Sequence, residues 1–186
     1  MTALQERLTA LGYWLGDTDG YFGDATQQAV YALQKAAGIA GDGVVGPVTS
    51  AALQRGVRPR ASSTIGYVVE IDLENQLLMF VRNGSVVHTL NTSTGGGYVY
   101  TSEGVTSVAT TPKGHFTVYR QVDGLDVSPL GKLWRPKYFY SGYAVHGYEY
   151  VPPVPVSHGC VRVSKEAMNW IWSAGLAPTG TAVWVY

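Results

Sequence analysis

The chain has a single cysteine, Cys160. One thiol cannot close an intrachain disulfide, and it cannot by itself build a multi-cysteine zinc site. Neither sign of charge is in excess. Lys+Arg and Asp+Glu stand at 13 each among 186 residues, and charged residues make up only 14% of the chain. The basic surplus expected of a nucleic-acid binder is missing. No apolar run approaches the ~18 residues that a membrane-spanning helix needs. The first fifteen residues include Glu6 and Arg7 and lack a basic-then-apolar pattern, so they do not read as a signal peptide. That leaves an intracellular protein, or one whose targeting segment is absent from this sequence. Low-complexity runs are also lacking, and with 46% hydrophobic residues the chain has the material for a packed core.

What is present divides into two parts. Residues 1–57 read as a helical module. Leu4, Leu8 and Leu11 share one helix face that stops near Gly12. A second helix is expected from Asp24, with Asp24 and Gln27 as a capping box and Gly38 at its left-handed end. A third, short helix opens at Pro47 and runs to Leu53. The module repeats itself: Asp19-Gly20-Tyr21-Phe22-Gly23-Asp24-Ala25-Thr26 is echoed by Asp42-Gly43-Val44-Val45-Gly46-Pro47-Val48-Thr49. Asp-Gly makes a tight turn and the second Gly admits the next helix.

This repeat resembles the peptidoglycan-binding module often attached to cell-wall enzymes. The resemblance implies a three-helix fold that holds the protein near wall polymer. Tyr13, Trp14 and Tyr21 are either core residues or platforms for sugar rings, with core the stronger reading. Arg58–Thr64 then reads as an extended tether.

From residue 65 to 186 the period changes to two. Tyr67, Val69 and Ile71 alternate with Val68, Glu70 and Asp72. Gln76–Arg82 and Ser85–Thr92 flank Asn83-Gly84, a strong hairpin signal. Further strands are expected over His115–Arg120, Tyr138–His146, Ser157–Val163 and Gly180–Tyr186. Ser164 is placed to cap one helix through Trp172.

The chemistry concentrates between His146 and Cys160. A cysteine attacks a carbonyl as the thiolate, and its free pKa of about 8.5 calls for an activating imidazole. His146 on a neighbouring strand can meet the thiol across the Pro-rich bend. His158, two residues before Cys160, is expected on the same strand face. Gly159 allows close backbone approach and an N–H aimed at an oxyanion. Arg162 either binds a substrate carboxylate or makes a structural ion pair. Competing readings are a buried structural cysteine, which the His, Gly and Arg neighbours argue against, and zinc on His146, His158 and Cys160, which matches no known metal spacing and lacks a fourth ligand. A papain-like order fails, because there the cysteine precedes the histidine. His88 and His115 read as structural or surface residues.

Residues 65–186 resemble the catalytic domain of the L,D-transpeptidases, the YkuD domain. The likeness rests on His146-Gly147, Ser157-His158-Gly159-Cys160-Val161-Arg162, Ser93-Thr94-Gly95 and Thr111-Pro112-Lys113-Gly114-His115-Phe116. It implies a β-sandwich-like domain with one helix, stem peptides of peptidoglycan as donor and acceptor, and action outside the cytoplasm at the cell envelope. It implies Cys160 as nucleophile, His146 as base, the Gly147 carbonyl orienting the ring, and Gly159 and Cys160 N–H groups holding the oxyanion. His158 belongs to the motif without a firm base role. Donor attack releases D-Ala, and the thioester passes to an amine on a neighbouring stem. Carbapenems are expected to trap the thiol. No metal or cofactor is called for, and a monomer is expected.

Ser157, Arg162, Tyr148 and Trp134 are the residues expected at the substrate, with Tyr138, Tyr140, Tyr143 and Tyr150 as further aromatic shields. The His146–Cys160 interval is short and proline-rich, and Asp123–Lys132 reads as a brief stretch where larger members carry a lid. The rival readings are an L,D-carboxypeptidase, with water as acceptor, and a wall-binding protein whose enzymatic domain is inactive.

Overall fold

The structure, a computed structural model, describes residues 1–186. Three helices come first: α1 Thr2–Ala10, α2 Asp24–Ala36 and α3 Pro47–Arg55. Leu8, Leu11, Tyr13, Ala29, Val30, Leu33 and Ala52 form their core. Pro47 opens α3, and Gly56 closes it at φ 68. The expected capping box at α2 does not form. Gly23 is the N-cap and makes no side-chain bond, while Asp24 already sits in the first turn, where its charge favours the helix dipole.

The repeated turn has a physical cause that lies outside the repeat itself. Gln5 of α1 is buried and donates toward Asp19 Oδ1 (2.9 Å), Tyr21 O (3.0 Å) and Thr26 Oγ1 (3.0 Å), while its Oε1 accepts from Gly20 N (2.8 Å). Gln34 of α2 repeats the arrangement with Asp42 Oδ1 (2.6 Å), Val44 O (3.1 Å), Thr49 Oγ1 (3.1 Å) and Gly43 N (2.9 Å). Each Asp-Gly turn is therefore folded around a buried amide from the preceding helix. That amide satisfies polar groups of the turn that burial would otherwise strand.

The second part holds β1 Tyr67–Asp72, β2 Leu77–Arg82, β3 Ser85–Asn91, β4 Val99–Ser102, β5 Val105–Val108, β6 Gly114–Thr117, β7 Arg120–Gln121, β8 Leu125–Ser128, β9 Gly131–Tyr140, β10 Tyr143–Tyr148, β11 Val161–Ser164, α4 Lys165–Ser173 and β12 Ala182–Val185. One sheet runs β3-β2-β1-β12-β6 and the other β11-β10-β9-β7, with β8 on β9 and β4-β5 a separate hairpin. Val69, Ile71, Phe80, Phe139, Val145, Val163 and Val183 pack between the sheets with Met168 and Ile171 of α4. Asn83-Gly84 makes the expected turn, with φ 49 and 77. The Ser164 hydroxyl caps α4 by accepting from Ala167 N at 3.1 Å.

Two sequence expectations change here. Tyr138–His146 is not one strand. Ser141 and Gly142 both take positive φ, 34 and 89, and fold β9 back onto β10. The aromatic alternation on both sides of that turn conceals it. Nor is Arg58–Thr64 a free tether: Ser63 is buried, and the segment is bonded to the buried Glu70 of β1. The Glu70 carboxylate accepts from Ser62 N (2.8 Å), Ser63 N (2.8 Å), Ser63 Oγ (2.6 Å) and Tyr186 Oη (2.9 Å). Four donors satisfy a carboxylate that burial alone would make costly.

The helical module is docked against the β domain. Gly12 O accepts from Thr89 N (2.7 Å) and Trp14 N donates to Thr89 O (3.1 Å), so Gly12–Trp14 pairs with the edge strand β3. Gly12 has φ +85, and a Cβ there would lie 2.9 Å from Val87 O, so the close approach needs glycine. Leu77 of β2 belongs to the module's core. Trp14 stacks on Trp170 of α4, centroids 5.4 Å apart, with His88 packed edge-on at 4.9 Å from Trp170. Tyr13 is core and Tyr21 is 71% exposed. Lys35 of α2 is buried in this interface and donates to Gln76 O (2.9 Å), Thr92 O (3.0 Å) and Asn91 Oδ1. Burial draws its pKa down to about 7, while three acceptors and no donor suit an ammonium. No helix is long and apolar enough to cross a membrane.

Two outcomes are expected. Gln34→Leu strands the buried groups of the second turn and lowers stability by about 1–3 kcal/mol, read as a depressed melting temperature in circular dichroism. A chain of residues 65–186 alone exposes Leu77, Trp170 and the β3 edge, so it melts below the full chain and aggregates on heating. Equal melting of the two forms contradicts the docked arrangement.

Candidate active site

β10 and β11 pair in parallel, with Val145 opposite Val161 and His146 opposite Arg162. Val145, Val161 and Val163 point into the core. By the strand period, His146, Tyr148 and Arg162 face the other way, into an open cleft of about 890 Å³ that Cys160 also lines. The β4-β5 hairpin forms one wall through Tyr100, Ser102, Glu103 and Val105; the β8-β9 hairpin forms the other through Asp126–Leu133. Most of the brief Asp123–Lys132 stretch is thus a paired wall of the cleft.

His146 is 3% exposed, and its Nδ1 lies 3.0 Å from Gly147 O. A carbonyl can only accept, so Nδ1 carries the proton and Nε2 keeps its lone pair. Burial pushes the imidazole pKa down to about 4. Opposite His146, β9 carries an irregularity between Lys137 and Trp134, where Arg135 has φ 51 and Pro136 has no N–H to give. Gly147 has no room for a side chain: a Cβ would meet Trp134 Cδ1 at 2.8 Å and Met168 Cβ at 3.1 Å.

Cys160 lies just before β11 with its sulfur 3.8 Å from Gly142 O, and burial raises its thiol pKa above the ordinary range. The side chains of Cys160 and His146 border the same cleft but share no hydrogen bond. Both are therefore neutral at rest, a thiol and an imidazole rather than an ion pair.

The backbone around the thiol is held by a set of short polar contacts. Ser157 Oγ donates to Cys160 O (2.6 Å) and accepts from Gly159 N (3.0 Å). Thr111 Oγ1 donates to Gly159 O (2.6 Å) and accepts from Gly95 N (3.0 Å). Ser93 exchanges backbone bonds with Arg162 (3.0 and 3.2 Å), and its hydroxyl donates to Val154 O (2.8 Å) and accepts from Val156 N (3.1 Å). Ser93-Thr94-Gly95 and Thr111 thus brace the segment that carries Cys160. Their presence in the sequence was visible; this bracing was not, because it joins residues far apart along the chain.

Several expected site residues are placed differently. Gly159 N–H is committed to Ser157 Oγ, which leaves Cys160 N–H as the donor without a protein partner. Ser157 is itself buried and spends its hydroxyl inside the loop. Residues 157–160 are not strand, and Gly159 has φ 140, so the alternation that put His158 beside Cys160 does not hold. The His158 ring packs edge-on against Tyr100 (4.8 Å) and Tyr98 (5.5 Å) of the neighbouring wall. Trp134 pairs with Gly147, whose face is the α4 side, and donates to Asn169 Oδ1 at 2.8 Å, away from the cleft.

Tyr138, Tyr143 and Tyr148 line the cleft, whereas Tyr140 packs on Phe116 and Tyr150 is 62% exposed. Arg162 has no carboxylate partner. Its guanidinium lies 4.0 Å over the Tyr148 ring, and its Nε is unpartnered. Asp126, which the sequence did not single out, accepts from Tyr138 Oη (2.8 Å) and Arg120 (3.0 Å), and the Tyr138 hydroxyl lowers its pKa. The wall hairpin β4-β5 was also missed; Glu103-Gly104, both at positive φ between two Val- and Thr-rich runs, is its signal.

Comparison with known proteins agrees with this architecture. Residues 66–185 match the family described as the L,D-transpeptidase catalytic domain, YkuD. The chain belongs to this family. Residues 1–53 match a peptidoglycan-binding domain family. An L,D-transpeptidase from Xylanimonas cellulosilytica, known from its crystal structure, is 55% identical over 100% of this chain and 92% of that one, with a TM-score of 0.96. An L,D-transpeptidase from Stackebrandtia nassauensis shares the fold at 21% identity and a TM-score of 0.58, over 100% of this chain and 89% of that one. Among curated relatives, the N-acetylmuramoyl-L-alanine amidase CwlL of Bacillus licheniformis is 55% identical over 53 residues, 27% of this chain and 15% of that protein. The chain spans under a third of the length of the curated relatives it matches.

Gly159→Ala tests the bracing. A Cβ there would meet Tyr143 Cε1 at 2.6 Å and Thr110 O at 2.7 Å, at φ 140. The variant is expected to lose thiol reactivity and melting temperature together; unchanged iodoacetamide alkylation and melting would show that the L,D-transpeptidase loop tolerates a side chain here.

Proposed function

We propose that the chain is a cysteine-dependent L,D-transpeptidase that joins peptidoglycan stem peptides through a thioacyl intermediate. The observation that carries the reading is the Nδ1–H of His146 bonded to Gly147 O at 3.0 Å, which leaves Nε2 a proton acceptor in the cleft that Cys160 lines. Family membership and the docked wall-binding module support the same substrate.

In this reading His146 Nε2 takes the thiol proton as Cys160 Sγ bonds to the donor carbonyl carbon. The carbonyl oxygen becomes an oxyanion facing Cys160 N–H. Collapse breaks the C–N bond, and the proton held by His146 passes to the departing D-Ala amine. An amine from a second stem then attacks the thioester, His146 takes its proton, and the thiol is restored. Arg162, uncompensated by any protein carboxylate, is the group for a substrate carboxylate. Water in place of the amine gives the carboxypeptidase outcome. Action outside the cytoplasm, at the wall, follows from the substrate.

The test is purified enzyme with disaccharide tetrapeptide, the products read by mass spectrometry. A cross-linked dimer lacking one D-Ala supports transfer, while free tripeptide alone with abundant acceptor makes the enzyme a carboxypeptidase. Cys160→Ala is expected to abolish the imipenem mass adduct. His146→Ala should slow acylation by about 10²–10⁴-fold, and His158→Ala clearly less.

The pH profile follows from the protonation of His146. His146 is a base only when unprotonated, and its pKa is pushed down to about 4. Acylation should therefore hold its rate as pH falls through the ordinary histidine range near 6.5 and decline only toward 4. Alkylation by iodoacetamide, which needs thiolate, should still be climbing at roughly pH 8.5. An acylation midpoint near 6.5 would mean a solvated, ordinary imidazole.

A further inference from the structure

The helical module makes one contact that differs in kind from the rest of its interface. Leu77, Trp14 and Trp170 are apolar surface closed against apolar surface. Lys35, by contrast, is a buried cation with no carboxylate partner, an arrangement that adhesion alone does not require. Each of its three acceptors is the first step of a hydrogen-bonded path into the second part, and all three paths end on the segment that carries Cys160.

The first path runs through Asn91. Its Oδ1 accepts from Lys35, and its Nδ2 donates to Gln28 Oε1 (2.6 Å) and to Val151 O (3.1 Å). Gln28, also of α2, donates a second bond to the same Val151 O (3.0 Å). Val151 lies in the crossover between His146 and Cys160. The second path runs through Gln76, whose carbonyl accepts from Lys35 and whose side chain bonds Thr94 at Oγ1 (2.7 Å) and N (2.8 Å). Thr94 O in turn accepts from Ser157 N (2.9 Å), and Ser157 Oγ holds the Cys160 carbonyl. The third runs through Thr92, whose carbonyl accepts from Lys35 and whose hydroxyl donates to Arg162 O (2.7 Å).

We propose that Lys35 is a positioning residue for the nucleophile: from the wall-binding module it fixes Asn91, Gln76 and Thr92, and through them the Glu149–Arg162 segment that presents Cys160. The proposal rests on the transpeptidase reading above. It gives Lys35, supported by Gln28, a part in presenting the nucleophile, while the rest of the module serves adhesion. Asn91 acts through the same network, and Gln28 secures it from the module side.

The experiment uses the full chain and imipenem as the acylating probe, with each variant held well below its own melting temperature. Lys35→Met keeps the apolar stem and removes the three donated bonds. Small displacements of a nucleophile are costly to rate, so acylation per folded molecule should fall roughly ten- to a hundredfold. With tetrapeptide donor, kcat should fall while KM stays, and pelleting with insoluble peptidoglycan should be unchanged. Gln5→Leu is the control. It strands buried groups in the module's first turn, which has no such path to Cys160, and should lower the melting temperature without slowing acylation.

Wild-type acylation by Lys35→Met overturns the proposal. Equal slowing by Gln5→Leu also overturns it, because loosening the module anywhere would then suffice. Should Lys35→Met fail to fold, Gln28→Ala, which removes a bond to Val151, carries the same test with a several-fold slowing expected. A wild-type chain that imipenem does not acylate at Cys160 overturns both this proposal and the transpeptidase reading. A wild-type chain that is acylated, with Lys35→Met its equal, overturns this proposal alone.

Discussion

The parallel pairing of β10 and β11 is the constraint on which the site depends. Parallel neighbours cannot be joined by a tight turn, so the chain must leave one end of β10 and return to the other end of β11. Glu149–Cys160 makes that journey. Its return places Cys160 at the start of β11 while His146 sits on the adjoining strand, with Val145 and Val161 in register between the sheets. The rest of the β domain serves this pair. Antiparallel β9 with its irregularity lies on the far side of His146, Gly147 lets α4 approach, and the second sheet supplies the opposite half of the core. A crossover without helix or strand has few backbone bonds of its own. That is why Ser93, Thr94, Ser157 and Thr111 are spent on it.

The same need explains the docking of the module. β3 is an edge strand, and an uncovered edge invites association with other chains. Gly12–Trp14 covers it, and α2 lies over β2 and β3, bringing Gln28 and Lys35 to the base of the crossover. The connection between the two parts is fixed as well, because the buried Glu70 draws Ser62 and Ser63 onto the sheet. A flexible tether would give the module freedom to search along a polymer. The arrangement seen here instead sets a fixed direction from any glycan on the module to the cleft.

Local features were legible in the sequence wherever they are coded by neighbours. The Asn83-Gly84 turn, the Ser164 cap, Pro47 at the head of α3, and the Cys160 and His146 motifs all depend on residues a few positions apart. Features coded by distant partners were not. The linker looked free because its proline and small polar residues carry no local sign of Glu70, which pins it from the following strand. Trp134 looked like a shield of the cleft because the register that turns it toward α4 depends on an irregularity around Arg135 and Pro136. The turn at Ser141-Gly142 was hidden by tyrosines on both sides. His158 seemed a twin of His146 until Gly159, at φ 140, broke the strand period between it and Cys160. Gln5 and Gln34 lie outside the repeat they organise, so the repeat was readable and its cause was not.

The electrostatics of the resting site follow from burial. A charged thiolate–imidazolium pair would need polar or charged neighbours to stabilise it. Here desolvation acts on both partners, raising the thiol and lowering the imidazole, and Arg162 disfavours a second positive charge on His146. In the proposed mechanism charge separation is thus deferred until a substrate carbonyl is present to receive the electron pair, and the resting thiol is less open to adventitious alkylation or oxidation.

For the transfer proposed above, this leaves the problem of water. The cleft is open, and its rims carry exposed Val105, Val127 and Leu130. In the proposed reaction a peptide lying between the two hairpins would cover those apolar side chains. An acceptor stem filling that space would exclude water from the thioester and place its amine in the same step. In the proposed transfer, selection of amine over water lies in the occupancy of the groove, with the protein supplying the walls and the acceptor supplying the lid.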